Sequence, residues 1–281
     1  MRAFPSPAPP QYGVRHPCCW SGTVSSNYAL KEEIREYWSA RAASFDAAFG
    51  HRMPPGAERD AWQREIARHL GSAPLEVLEL ACGTGEVTGA LRRLGHRVTG
   101  LDFSEAMLSL ARAKHSGDPG TRFILADAEY TREAPDRYGA IVCRHLVWTL
   151  TEPEAALADW FRVLRPGGHL LVFDGNFAAP HGTAGRLAQH LLRLLESSQG
   201  GAAAPHNPEM DRHAAIMREL PFSQGLTPEV LEPLLRRAGF TDLAFHSHAP
   251  IARAQRRGAA LRDRLRTLLY RRFVLHARKP G

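Results

Sequence analysis

Cysteine is scarce in this chain of 281 residues, with four in all, at Cys18, Cys19, Cys82 and Cys143. Two of them are neighbours, which rarely bridge each other, and no CxxC pair occurs. A disulfide scaffold and a structural zinc site are therefore excluded as organising principles. Long apolar runs are missing too. No stretch approaches the ~18 residues that a membrane helix needs, and the opening thirteen residues lack the continuous apolar segment of a secretory signal. Internal repeats are absent. These gaps leave an unexported cytoplasmic protein without a membrane partner as the expectation.

What is present is a globular composition, 44% hydrophobic and 23% charged, enough to bury a core. At ~100–200 residues per domain the length suits one large α/β domain with embellishments. The formal charge of +7 is unevenly placed. Residues 251–281 hold nine arginines and Lys279 against Asp263 alone, so the remainder is slightly acidic. Such a segment could anchor a nucleic acid, but Leu261, Leu265 and Leu268 share one face with arginines opposite. That is the pattern of a solvated amphipathic helix or of a subunit contact in a homodimer.

Residues 1–24, rich in proline and small residues, read as a flexible leader, and 25–281 as a single domain. A helical cap is expected over 25–72, broken at Met53-Pro54-Pro55-Gly56. The core is expected over 73–173, a lid or substrate insertion over 174–226, and a C-terminal helix with strands over 227–281. In the core, Leu75–Leu80 is a compact apolar strand that stops at Cys82-Gly83-Thr84-Gly85. A helix Val87–Leu94, a strand Arg97–Leu101 ending at Asp102, a helix Ser104–Lys114 and a strand Thr121–Ala126 follow. Then come a strand Ala140–Cys143, a helix Pro153–Leu164 and a strand His169–Phe173. This alternation predicts a doubly wound, Rossmann-like, mostly parallel sheet covered on both faces. In the insertion one apolar helix is expected, at Leu187–Leu195. Thr227-Pro228-Glu229 opens a further helix, and strands at Phe240–His246 and Arg272–Ala277 enclose another marked by Leu261, Leu265, Leu268 and Leu269.

The glycine turn after the first strand lets a ligand approach the backbone at the positive end of a helix. A dinucleotide site would want G-x-G-x-x-G, and here Gly83 and Gly85 are followed by Thr88. Glu79 separates the readings physically. A carboxylate at the strand end would repel a pyrophosphate but attract an amino-acid ammonium. Asp102, ending the second strand, can accept two ribose hydroxyls, and Asp127 with Ala128, after the third, can pair with an adenine edge.

With the segments LELACGTGEVT, GHRVTGLDFSEAMLSLAR, FILADAEY, YGAIVCRHLVWTL and FRVLRPGGHLLVFDG on the page, the chain resembles the class I S-adenosylmethionine-dependent methyltransferase family of the small-molecule type. The resemblance is close over about residues 36–178. It implies a seven-stranded sheet whose last strand, Arg272–Ala277, lies antiparallel beside Phe240–His246. It implies contact with the methionine moiety of S-adenosylmethionine by Glu79, Ala81, Gly83 and Gly85, ribose contact by Asp102, and adenine contact by Phe103, Met107, Asp127 and Ala128. Ala81 stands where the family usually has its first glycine. Tyr37-Trp38-Ser39-Ala40-Arg41 resembles the family's N-terminal cap, with Tyr37 and Arg41 nearest the methionine end, and Arg144 and His145 follow the fourth strand beside the cofactor.

Each residue has a plainer reading as well. Glu79 and Asp102 alone would be capping or solvated carboxylates, and only their joint context favours a ligand. Trp38, Trp62 and Trp148 read as packing. His51, His181, His206 and His213 read as surface histidines without metal-ligand spacing, and no metal is expected. The expected function is methyl transfer to a nitrogen, oxygen or carbon of a small molecule. His145 is the candidate base, with Tyr28 and His206 as distant alternatives. The alternatives are a tRNA, rRNA or other nucleic-acid methyltransferase, and a noncatalytic S-adenosylmethionine-binding protein. A nicotinamide oxidoreductase is disfavoured by Glu79 and the missing third glycine.

Overall fold

The computed structural model describes residues 23–197 and 208–281. The expected leader lies outside these residues, except that its last two begin α1 (Thr23–Phe45). Seven strands form one sheet in the order β3-β2-β1-β4-β5-β7-β6. They are β1 (Glu76–Leu80), β2 (Arg97–Asp102), β3 (Thr121–Leu125), β4 (Tyr138–Arg144), β5 (Leu164–Asn176), β6 (Thr241–Ser247) and β7 (Arg271–Arg278). Strands β1 to β5 are parallel, and β7 runs antiparallel to both β5 and β6, between them. The doubly wound sheet and its inserted last strand are as expected.

The strands are apolar on both sides because both faces are covered. Val77 and Leu78, consecutive in β1, point to opposite faces. Leu78 joins Ile141, Leu157, Trp160, Leu231 and Leu235 on the side of α5 (Pro153–Val163) and α8 (Pro228–Arg237). Val77 joins Trp62, Ile66, Leu91, Val142 and Ile251 on the side of α2 (Ala57–Leu70), α3 (Glu86–Arg93) and α9 (Ala249–Gln255). Trp62 is therefore a core residue, as its spacing from Ile66 and Leu70 suggests. The helix α4 (Glu105–Lys114) starts at Ser104, whose hydroxyl accepts the Met107 N–H at 3.3 Å. Thr227, at the corresponding place before α8, makes no such bond, and Pro228 at the first turn starts that helix.

Three elements differ from expectation. β5 begins at Leu164 rather than His169, because Leu164 pairs with Tyr138 before the register shifts to Ala140 opposite His169. Its far end is extended to Asn176 by pairing with Arg271. Two helices, α9 and α7 (Pro208–Glu219), were not anticipated. Ile216 and Leu220, at and just beyond the end of α7, are buried against Leu30, Ile34 and Tyr37 of α1. The helix expected at Leu187–Leu195 is α6 (Gly182–Ser197), and it packs on α10 (Leu261–Leu269) through Ala188, Leu192 and Leu265. Among the described residues no helix is long and apolar enough to cross a membrane.

Candidate active site

The C-terminal ends of β1, β2 and β4 open into one cavity of about 400 Å³. Each strand delivers one ionisable side chain to it, Glu79, Asp102 and Arg144 respectively. This is where open parallel sheets hold ligands, because the loops diverge there. The turn after β1 supplies the floor. Ala81 has a left-handed φ of 49°, which a β-carbon makes unfavourable. Gly85, at φ 82°, would carry a Cβ only 2.9 Å from His115 Nε2. Ala81 and Gly83 line the cavity, whereas Gly85 lies behind it, where its carbonyl bonds the His115 ring at 2.8 Å.

Asp102 is buried, yet both its oxygens are engaged. One accepts the Gly83 N–H at 2.9 Å and the other the Ser104 N–H at 2.9 Å. Burial still raises its pKa to about 6, because loss of solvent outweighs those bonds. Glu79 accepts a hydrogen bond from the Thr88 hydroxyl and is pushed up to about 8, again chiefly by burial. Asp127 and Ala128 stand in a smaller adjoining recess that shares Ala81, Asp102, Phe103, Leu146 and Thr149 with the main cavity. Lys31 of α1 closes it, reaching Asp127 at 2.9 Å and Glu129 at 2.8 Å. Burial alone would lower the Lys31 pKa, but these carboxylates raise it overall.

The cover is helix α1 and the turn after it. Tyr37, Trp38, Arg41, Phe45 and His51 line the cavity, as do Phe103 and Met107 beneath them. The cover is pinned at several points. Ser39 and Ser104 share a hydroxyl contact at 2.8 Å, Thr84 donates to Asp46 at 2.6 Å, and Lys114 bridges Asp46 and Glu86.

At the end of β4, the Arg144 Nη2 donates to the His51 carbonyl at 2.7 Å while Nη1 is buried without a partner. His145 takes a left-handed φ of 57°, its N–H donating to the Phe173 carbonyl at 2.8 Å. Burial first, and then Arg144 and Arg272, hold its pKa well below the usual histidine value, so the ring is neutral at pH 7. The segment is fixed by Asp174 at the end of β5, which accepts the Val147 N–H at 2.8 Å. Asp174 is itself raised to about 7 by burial.

All the expected site residues except Gly85, Asp127 and Ala128 line the main cavity. Two expectations for histidine are corrected. His51 packs at a tilt against Phe45 with centroids 4.1 Å apart, and burial lowers its pKa to about 4. His213 of α7 lies 5.3 Å from the Tyr37 ring and 5.7 Å from Trp148, because the packing of α7 on α1 turns it inward. Trp38 and Trp148, expected as packing, also line the wall. Tyr28 is 72% exposed and outside it, and His206 lies outside the described residues. Phe177, Tyr270 and Arg272 also line the wall; Phe177, just past β5, falls in the expected lid or substrate insertion without having been singled out, and Tyr270, just before β7, and Arg272, in it, were not anticipated. Helix α6 contributes no wall residue. Among the described residues no cluster of His, Cys, Asp and Glu has the makings of a metal site.

Known proteins resemble this chain in sequence and in fold. The family described as a methyltransferase domain matches residues 78–172. The chain is 32% identical over 171 residues to a 2-phytyl-1,4-naphtoquinone methyltransferase of Thermosynechococcus vestitus, covering 58% of this chain and 71% of that one. It is 35% identical over 122 residues to a demethylmenaquinone methyltransferase of Clavibacter sepedonicus, covering 43% of this chain and 48%, about half, of that relative's own length. The fold superposes on phosphoethanolamine N-methyltransferase 2 of Haemonchus contortus in complex with S-adenosyl-L-methionine. The TM-score is 0.61 at 16% identity, over 88% of this chain and 60% of the other.

Proposed function

Because the chain belongs to the class I S-adenosylmethionine-dependent methyltransferase family, we propose that it binds S-adenosylmethionine in this cavity and methylates a small-molecule acceptor. The observation that carries the reading is the single cavity that joins Glu79 and Asp102 to the aromatic cover of α1 and to His145.

The residues fit the ligand. Asp102 is held rigid by two N–H groups and keeps free lone pairs for ribose hydroxyls. Glu79 faces the ammonium, whose charge favours its ionised form. Arg41 and Arg144, with Tyr37, take the carboxylate end, and the unpartnered Arg144 Nη1 is the orphaned polar atom that an anion would satisfy. Ala81 and Gly83 let the methionine chain lie against the backbone, and Gly85 acts behind them by allowing the turn to pack on His115. Phe103 and Met107 flank the adenine, and Asp127 and Ala128 stand at its edge. When bound, S-adenosylmethionine supplies an electrophilic methyl group.

The chain's own residues then position the acceptor, exclude water and take up a proton. His145 is neutral and so able to accept one. Its depressed pKa makes it a weak base, which suits an acceptor whose hydroxyl is already acidic. The C-terminal arginines support a small acceptor over a nucleic acid, because they do not form one stripe. Arg272 lines the cavity, Arg278 donates to the Gly167 carbonyl at 3.1 Å, and Arg266 pairs with Asp263 at 3.0 Å. The exposed Leu187, Leu194 and Leu261 of α6 and α10 are where a homodimer contact would form. The buried, unpaired thiols of Cys82 and Cys143 suit a reducing cytoplasm. The test is incubation with S-adenosylmethionine and a panel of small acceptors, read by mass spectrometry. A methylated product and demethylated cofactor are expected, and cofactor that neither binds nor turns over would refute the reading.

A further inference from the structure

The cavity holds more positive charge than the cofactor accounts for. Arg272 reaches it from β7, the strand that is antiparallel to the rest of the core. Its position depends on Gly175, its partner in β5, where a Cβ would lie 2.8 Å from the Arg271 carbonyl and 3.1 Å from the Arg272 Cα. The Arg272 Nε is buried and has no hydrogen-bond partner, and the guanidinium forms no ion pair among the described residues. Glu58, the carboxylate whose field reaches Arg272, is engaged instead by the Gln255 amide at 2.9 Å. Arg272 as a whole is half-buried, but a guanidinium nitrogen that is buried without a partner is costly and is normally paired. Phe177, Tyr270 and Trp148 line the same cavity, with Phe177 centred 5.5 Å from each of the other two rings and 5.3 Å from His145.

We propose that Arg272 is the anion anchor of the acceptor subsite and that the methyl acceptor is a small aromatic acid, its ring held by Trp148, Phe177 and Tyr270 and its carboxylate by Arg272. This rests on the methyltransferase reading above and adds the substrate class. Two considerations divide the charges. Arg41, on α1, and Arg144, the last residue of β4, stand on the cofactor side and suffice for the one carboxylate of S-adenosylmethionine. The remaining guanidinium and the cofactor's sulfonium are like charges in one enclosed space, so an anionic acceptor lowers the repulsion that a neutral one would leave. The planar, forked guanidinium also matches a carboxylate with two parallel hydrogen bonds.

The probes are 4-hydroxybenzoate and its neutral isostere 4-hydroxybenzamide, titrated calorimetrically into protein saturated with S-adenosylhomocysteine. The acid is expected to bind at least about tenfold more tightly than the amide. Arg272→Gln should abolish that preference, Arg272→Lys should retain part of it, and both variants should bind S-adenosylhomocysteine as the unaltered protein does. Equal binding of acid and amide, absence of measurable binding by either, or a preference that survives in Arg272→Gln overturns the proposal. So does loss of S-adenosylhomocysteine binding in a folded Arg272→Gln protein, which would assign the arginine to the cofactor. If the unaltered protein fails to bind S-adenosylhomocysteine, the methyltransferase reading falls instead, and the acid-to-amide preference measured without it still decides the role of Arg272.

Discussion

Replacing Asp102 with alanine should weaken S-adenosylhomocysteine binding by tenfold or more while changing fold stability far less than the loss of a buried, doubly hydrogen-bonded carboxylate would suggest. Hydrogen bonds to a charged group contribute ~1.5–3 kcal/mol, so losing the ribose contacts corresponds to about a 10- to 150-fold drop in affinity. For stability two effects oppose. The pKa of Asp102 rises from 3.8 to about 6 on folding, so ionising it in the folded state at neutral pH costs ~3 kcal/mol, which alanine relieves. Against this, the Gly83 and Ser104 N–H groups lose their acceptor, at ~1–3 kcal/mol each. The balance at pH 7.5 should fall within about 3 kcal/mol, a shift of a few degrees in melting temperature. Because the folded pKa lies above the unfolded one, the stability Asp102 contributes is present below pH ~4 and lost as the pH climbs through about 6. The melting-temperature gap, taken as unaltered protein minus variant, should therefore move in favour of the unaltered protein on acidification from pH 7.5 to pH 5. Calorimetric titration and thermal melts at both pH values decide it. A variant that binds S-adenosylhomocysteine normally, or a gap that moves in favour of the variant on acidification, would refute the reasoning.

The remaining predictions use the same measurements. Glu79 must shed a proton to meet a ligand ammonium, and its free pKa is about 8. The affinity for S-adenosylhomocysteine should thus rise nearly tenfold per pH unit between pH 6 and 7, and Glu79→Gln should flatten that slope. Gly85→Ala sets a Cβ 2.9 Å from His115 Nε2 at a φ of 82°, so it should lose ~1–3 kcal/mol of stability. Adding His115→Ala should recover the steric part only, and full stability in Gly85→Ala alone would contradict the geometry. Hydrogen exchange of α1 and α7 should slow when S-adenosylhomocysteine and an acceptor bind together, since both helices line the cavity, whereas α6 should not respond. Protection confined to α6 would move the acceptor site.

Much of the core was legible because its signals are local. The apolar Leu75, Val77, Leu78 and Leu80 of and beside β1, the small residues after it and the acidic strand ends at Glu79 and Asp102 each announce themselves within a few positions. Sheet order does not enter those signals, and the family resemblance supplied it. β5 was read short because its outer residues have no strand pattern of their own and are extended by pairing with β4 and β7. Helix α7 was missed in a segment read as a lid or substrate insertion, since what holds it is Ile216 and Leu220 meeting α1.

The site divides in the same way. Residues on β1, β2 and α4 could be named from motif and spacing because successive strand–turn–helix units present them to one ligand, and Tyr37 and Arg41, in the C-terminal half of α1, from the resemblance of that segment to the family's cap. Arg272 carried no such signal. It read as one of nine arginines in a basic C-terminal segment, and only the pairing of β7 with β5 at Gly175 turns it into a cavity wall. Asp174, which holds the segment after β4, and His213, which meets Tyr37 and Trp148, are likewise defined by contacts across large sequence separations. Sequence alone determined the sheet class and the cofactor-facing carboxylates, because hydrophobic period and turn chemistry act over a few residues. Tertiary structure decided the acceptor side, because its wall is assembled from α1, α7, β7 and the ends of β4 and β5, and side chains so distant in sequence share an environment only once the sheet has closed on them.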